Sequence, residues 1–240
     1  MHNQLETLRQ FISTSNYIVF FGGAGVSTES GIPDFRSVDG LYSQKYKYPP
    51  ERIVSRSFFM SNTADYYDFH KARLLHMDAK PNPAHIKLAE LEKIGKLKAV
   101  ITQNIDGLHQ SAGSVKVLEL HGSVYRNFCM ECGLNYEVKF ISGSEGVPHC
   151  SCGGVIKPDV VLFEEALDDD VMVESIMHIK NADMLIIGGT SLGVYPAAGL
   201  LNYYRGSKLV LINKSETPWD ERADLVINGS IGEVLNAIVL

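Results

Sequence analysis

The four cysteines of this 240-residue chain fall as two close pairs, Cys129 and Cys132, then Cys150 and Cys152, and none is left over for another role. Only residues 133–149 separate the pairs. Two short turns that each present two thiolates suit one tetrahedral Zn²⁺, and an ion with four protein ligands keeps no open position, so such a metal is structural. His149 beside Cys150 is a competing ligand, and a redox-active dithiol is the rival use of the same residues. A second chemical signal is Gly22-Gly23-Ala24-Gly25-Val26-Ser27, directly after the apolar run Tyr17–Phe21. Glycines there let backbone approach a pyrophosphate, while a following helix N-terminus offers unpaired N–H groups. The dehydrogenase fingerprint is not met, because Thr28 stands at the third glycine's place and no acidic residue closes a second strand about 20 residues on. A plain strand-to-helix turn remains the alternative.

Other polar clusters extend the pattern. Asp34, Phe35 and Arg36 place a carboxylate, an aromatic ring and a guanidinium in succession. Thr102-Gln103-Asn104-Ile105-Asp106-Gly107-Leu108-His109 sits at the end of an apolar strand, where α/β proteins carry ligand contacts; a polar turn with an Asn cap is the bland reading. Glu119-Leu120-His121-Gly122 sets an imidazole between that strand and the cysteines. An unperturbed pKa near 6.5 suits a proton acceptor, although a lone strand-end histidine is more ordinarily a surface or hydrogen-bonded core residue. Gly188-Gly189-Thr190-Ser191 and Asn213-Lys214-Ser215 are further turns after strands, each by itself only turn chemistry. Tyr66-Tyr67-Asp68-Phe69-His70 reads as helix packing, and Asp168-Asp169-Asp170 as a helix start where acids suit the dipole.

The elements that must position these groups alternate. Helices are expected at residues 3–15, Val26–Ser30, about 57–77, 83–94, about 168–180, after Pro196 and at 231–239. Strands are expected at 17–21, Lys98–Thr102, Lys116–Leu120, Asp159–Phe163, Met184–Ile187, Leu209–Ile212 and Leu225–Ile227. Residues 31–50, rich in Gly, Pro, Ser and Tyr, form a long loop, and the cysteine segment, about 123–156, interrupts the alternation with short polar turns. Strands separated by helices imply an α/β fold: a Rossmann-like parallel sheet covered on both faces, plus a small domain built from the four-cysteine module and a helical insert. The net charge of −6 and the absence of Lys/Arg blocks argue against direct nucleic-acid binding. No apolar run approaches the ~20 residues of a membrane span, and Met1-His2-Asn3-Gln4 lacks a signal-peptide pattern, so a cytoplasmic protein is expected.

The glycine loop through Arg36, the Gln103–Asp106 cluster, His121, the cysteine module and the later turns resemble, in order, the motifs of the sirtuins, NAD-dependent protein deacylases, over about residues 4 to 238. The resemblance implies NAD as co-substrate, one structural zinc, and acyl-lysine proteins or peptides as partners; no oligomer is implied. It assigns Gly23, Ala24, Gly25, Ser27, Thr28, Asp34, Phe35 and Arg36 to the cofactor, with Gln103, Asn104, Ile105 and Asp106 at the nicotinamide end. Gly189, Thr190 and Ser191 fall to phosphate and adenosine ribose, Asn213, Lys214 and Ser215 to the adenosine side, and Ile231 to the cover over adenine. Cys129, Cys132, Cys150 and Cys152 are the metal ligands, though the family's second pair is usually Cys-x₂-Cys. His121 is the implied catalytic base, with Asn104 and Asp106 as catalytic partners. Val160, Val161, Phe163, Glu164, Val194 and Tyr195 are implied to hold the peptide, with Glu164 standing where the family usually has glycine. His70-Lys71-Ala72-Arg73 lies where the branch preferring succinyl or malonyl groups carries Tyr-x₂-Arg, and the missing tyrosine disfavours that preference.

The chemistry implied is attack of the acyl oxygen on the nicotinamide-bearing sugar carbon, giving an alkylimidate. A ribose hydroxyl deprotonated by His121 then resolves it to free lysine, acyl-ADP-ribose and nicotinamide. Protein mono-ADP-ribosylation by the same NAD cleavage is an alternative, as is a non-catalytic NAD-binding interaction module. The expected division is residues 1–35, 98–122 and 158–240 as the Rossmann-like domain, 36–97 as cofactor loop and helical insert, and 123–157 as the zinc module.

Overall fold

The computed structural model describes residues 2–37 and 39–239. Met1, Val38 and Leu240, which fall within the expected ranges 1–35, 36–97 and 158–240, lie outside the described residues.

The chain opens with α1 (His2–Ser13), whose Leu8 and Ile12 are buried, and enters β1 (Ile18–Gly22), every residue of which is buried. The helical insert follows the cofactor loop: α2 (Pro50–Ile53), α3 (Arg56–Ser61), α4 (Thr63–Phe69), then a π-turn His70–Leu74. The single helix expected over 57–77 is therefore broken, at Asn62, whose φ of −137° and ψ of 49° leave the helical region. The long loop expected over 31–50 carries one 3₁₀ turn, Leu41–Ser43. Next come α5 (Pro83–Lys93), with Pro83 at its first position and an Asn82 capping box, and β2 (Leu97–Thr102). After α6 (Leu108–Ser111) and β3 (Val117–Glu119) the chain builds a smaller sheet. It comprises β4 (Gly122–Cys129), β5 (Asn135–Glu137) and, after α7 (Val138–Gly143), β6 (Ile156–Val160). The remainder is α8 (Asp169–Asn181), β7 (Met184–Gly188), a 3₁₀ segment Ala197–Tyr203, β8 (Lys208–Asn213), β9 (Leu225–Asn228) and α9 (Ile231–Asn236).

The main sheet has the order β3-β2-β1-β7-β8-β9 and is parallel throughout. One buried cluster, with Leu8, Phe20, Leu88 and Val210, covers one face; a second, with Phe21, Ile101, Ile179 and Leu211, covers the other. The chain moves outward from β1 to β3 on one side and from β7 to β9 on the other, so the order reverses between β1 and β7. In open α/β sheets such a switch leaves a crevice beyond the carboxyl ends of the two strands. Here those ends are Gly22 and Gly188, paired in register.

Three further expectations need correction. The strand expected at Asp159–Phe163 is Ile156–Val160, and it runs antiparallel to β4 in the small sheet, order β5-β4-β6. Its apolar pattern suits either sheet; the cysteine hairpin beside it supplies the edge on which it pairs. The same hairpin means that the cysteine segment forms ordered antiparallel pairing rather than polar turns alone. The helix expected at Val26–Ser30 is instead two 3₁₀ turns, Ala24–Val26 and Thr28–Ser30. The Gly25 N–H donates across to Gly189 O at 2.8 Å, which pulls the turn against the neighbouring strand end and off a helical axis. A third cluster, including Phe59, Tyr66, Tyr67, Ile141 and Ile156, joins the helical insert to the small sheet. Tyr66 and Tyr67 are fully buried within it, as helix packing requires.

Candidate functional site

The switch point is built by two glycine turns that touch. A Cβ on Gly25 would lie 2.8 Å from Gly189 Cα, and one on Gly189, whose φ is +58°, would lie 2.3 Å from Val26 N. Only glycine fits either place. The turns open onto one cavity of about 840 Å³. Gly23, Ala24, Gly25, Ser27 and Thr28 line it from β1; Gly189, Thr190 and Ser191 from β7; Asn213, Lys214 and Ser215 from β8; Ile231 from the start of α9. Gln103, Asn104, Ile105, Asp106 and His121 line it from the third side, with Asp34, Phe35 and Arg36 over it. Val160, Val161, Phe163, Glu164, Val194 and Tyr195 face the same space. Every residue that the family resemblance assigned to cofactor, catalysis or peptide thus borders a single cleft.

A hydrogen-bond network lies on its floor. The Gln103 N–H donates to Gly22 O at 3.0 Å and its side-chain amide donates to Thr190 Oγ1 at 3.1 Å, tying β2 to both glycine turns. Asn104 Nδ2 donates to Ser27 Oγ at 3.0 Å, and the Ser27 hydroxyl donates to Asp106 Oδ2 at 2.6 Å. The Leu108 N–H donates to Asp106 Oδ1 at 2.9 Å, so both carboxylate oxygens are fixed. This is a preorganised negative group beside a polar turn, suited to a positive charge that develops during reaction. Beneath it, His85 and His109 pack edge to face with ring centres 4.7 Å apart. Burial pushes their pKa values down to about 4 and about 3, so both are neutral near pH 7.

His121 is half-buried, and its Nδ1 lies 3.0 Å from Gln103 O. A carbonyl oxygen only accepts, so Nδ1 carries the proton and Nε2 keeps its lone pair. Burial lowers its pKa below the ordinary histidine value, and the Gln103 carbonyl opposes that shift only in part. The imidazole is therefore a neutral base aimed from the cleft wall. Above the network, Asp34 Oδ1 accepts from the backbone N–H groups of Arg36 and Ser37 at 3.0 and 2.8 Å, which shapes the loop, and Phe35 packs edge-on against Tyr42.

The four cysteine Sγ atoms lie within 4.8 Å of one another, and the closest contacts, Cys129–Cys152 and Cys132–Cys150, are 3.5 Å. A tetrahedron with Zn–S near 2.3 Å has edges of about 3.8 Å, so the thiolate set fits a zinc ion. The tight Cys-x-Cys pair reaches that geometry because the Cys150–Gly154 turn is closed by Gly153 N donating to Cys150 O and Cys150 N donating to Gly154 O. His149 instead places Nδ1 3.2 Å from Gly153 O.

The cleft also includes residues without a sequence signal. Tyr42, Val54, Leu74 and His76 reach it from the loop and helical insert, and no local pattern marks them because they meet the cleft only through tertiary packing; Arg73 reaches it too. Arg73 was placed in the sequence only by the Tyr-x₂-Arg comparison; its guanidinium lies 5.7 Å from the centre of the Tyr46 ring, while His70 is buried. Glu29 accepts from Gly232 N at 2.7 Å and so clasps the start of α9 to the first glycine turn. No described helix is long and apolar enough to cross a membrane.

The sequence model of the Sir2 family matches residues 23–196. A Clostridium perfringens protein named NAD-dependent protein deacetylase is 60% identical over all of this chain and all of its own length. One of the same name from Staphylococcus aureus is 43% identical across 100% of this chain and 99% of itself. Among solved structures, a Sir2 enzyme superposes with a TM-score of 0.90 at 42% identity, covering 100% of this chain and 97% of that one. A Sir2 structure with a deacetylated peptide and an acetyl ADP ribose also gives 0.90 at 42% identity, over 96% of this chain and 95% of the other.

Proposed function

The chain belongs to the Sir2 family, and from that premise we propose that it is an NAD-dependent protein deacetylase, removing acyl groups from lysine side chains and transferring them to ADP-ribose. One geometric fact supports this most: a neutral imidazole with a free Nε2 borders the same cleft as the Asn104–Ser27–Asp106 network and the paired glycine turns. NAD, when bound, supplies a sugar carbon made electrophilic as nicotinamide leaves. The glycine turns, Thr190, Ser191 and the Asn213–Ser215 turn would hold its phosphates and adenosine half. Asp106, fixed by Ser27 and Leu108, and Asn104 would favour positive charge at the nicotinamide end. His121 Nε2 would accept the proton of a ribose hydroxyl. Phe35 would exclude water and released nicotinamide.

On this assignment the parallel sheet carries the nucleotide. The peptide would lie along Val160, Val161, Phe163 and Glu164 as an added strand, with Val194 and Tyr195 opposite. The four cysteines would hold one structural zinc, which would tie the small sheet together. A reducing cytoplasm is the proposed location, since it keeps four metal-binding thiols reduced. The test incubates the protein with NAD and an acetyl-lysine peptide and quantifies products by mass spectrometry. Nicotinamide, free-lysine peptide and acetyl-ADP-ribose should appear in equal amounts; ADP-ribose attached to protein without loss of acetyl would instead indicate ADP-ribosyl transfer.

A further inference from the structure

Among the described residues, Glu164 and Leu192 are the two non-glycine residues with positive φ, and Glu164, at 75°, stands on the rim of the cleft. That region is disfavoured for any residue with a Cβ, so something must hold Glu164 there. A single serine does. The Ser57 N–H donates to Glu164 Oε2 at 2.8 Å and the Ser57 hydroxyl donates to Oε1 at 2.9 Å. Backbone bonds fasten the same segment: Phe163 N–H donates to Val54 O and Arg56 N–H donates to Phe163 O, each at 3.0 Å.

Both partners of this carboxylate are neutral, which sets it apart from its neighbours. Glu165 is paired with Arg56 and Lys157, each at 3.1 Å, and Asp159 with Arg126 at 2.8 Å. Among the described residues no lysine, arginine or histidine forms an ion pair with Glu164. The cations that line the adjoining groove, Arg56 and Lys157, are thus already committed to Glu165. What remains is an exposed, immobilised and unneutralised negative charge beside Val160 and Val161.

We propose that Glu164 is a specificity-determining residue that selects acyl-lysine peptides carrying lysine or arginine next to the acylated residue. The inference rests on the deacetylase reading above. Ser57 is the positioning residue: by holding both oxygens it keeps the carboxylate from swinging into solvent, so a passing cationic side chain meets a charge that is already aimed. Rim charges of this kind act on encounter and on salt dependence more than on the chemical step.

The test uses the zinc-loaded full chain and three acetyl-lysine peptides of equal length, with lysine, glutamine or glutamate flanking the acetylated residue. At low salt kcat/KM should fall in that order, with a lysine-over-glutamate ratio of about tenfold, as expected for one attraction and one repulsion at an exposed site. The ratio should shrink toward one as salt rises, because the Debye length drops to about 3 Å at 1 M. Glu164→Gln should reduce the low-salt ratio to about twofold, and Ser57→Ala to a value between the two. A Glu164→Gln protein that slows all three peptides alike while keeping the ratio would show a purely structural latch and overturn the proposal. If that variant does not fold, an unchanged ratio in Ser57→Ala overturns it instead. Turnover of none of the three by the unaltered protein would sink the deacetylase reading and this inference with it; turnover of all three with no charge order sinks this inference alone.

Discussion

The cleft has two walls that differ in how far side chains share in holding them together. At the switch point the backbone does the holding: Gly25 N–H bonds Gly189 O at 2.8 Å, and no side chain separates the two turns. On the wall that carries Val160 to Glu165, side chains add to the backbone bonds of Phe163: Ser57 grips Glu164, and Arg56 and Lys157 grip Glu165. Backbone against backbone leaves no dimension to vary without moving a strand. A wall fastened by side chains can change charge and contour while the strands stay in place. The first wall therefore suits a constant ligand such as a dinucleotide, and the second suits variable peptides.

The sharpest way to separate the walls is to remove what only one of them needs. Cys150→Ser should abolish tight zinc binding, a contribution on the order of 10 kcal/mol in comparable sites. Hydrogen exchange should then show β4 to β6 unprotected while β1, β2 and β7 stay protected. Equal loss of protection in both sheets would break the comparison.

Acid should act more strongly on the other wall, which has two buried histidines where the helical insert has His70. His85 and His109 are neutral in the fold because burial lowers their pKa values to about 4 and about 3. Their stabilising contribution is complete above the unfolded value of about 6.5 and is lost as pH falls below it, since the unfolded chain then binds the protons. Between pH 6.5 and 5.5 the two together should cost about 2 kcal/mol. Urea unfolding of β1, whose Phe20 packs near His109, reports that loss; His109→Phe should roughly halve its slope.

Smaller effects probe the turns themselves. Gly189→Ala must force a side chain into left-handed backbone against Val26 N, and should cost about 2 kcal/mol of stability and weaken NAD affinity, read by calorimetry. Ser27→Ala removes a hydrogen bond to the Asp106 carboxylate and should lower kcat about tenfold with the melting temperature little changed.

These contrasts also explain what could be read from the chain beforehand. The nucleotide wall is legible because its contacts lie within short contiguous runs, 22–36, 102–106 and 188–191, at the ends of apolar strands. The cysteines declare themselves by count and spacing. The strand expected at Asp159–Phe163 instead spans Ile156–Val160 in the small sheet, because period and composition give no partner and the cysteine hairpin supplies it. His76, Tyr42 and Val54 carry no local signal, since they reach the cleft only after α2 to α4 pack on the small sheet. Glu164 was visible as a departure from the glycine expected there, but its serine latch lies 107 positions away in sequence.

His121 gives the most direct measurement. Its pKa is lowered by burial, so the acid limb of kcat/KM should lie below the ordinary histidine range, with activity lost as pH falls through it. His121→Ala should bind NAD by calorimetry about as tightly as the unaltered chain while releasing no deacetylated peptide at any pH. Deacetylation by that variant at the parent rate, with the acid limb unmoved, would contradict the placement of the base and the mechanism built on it.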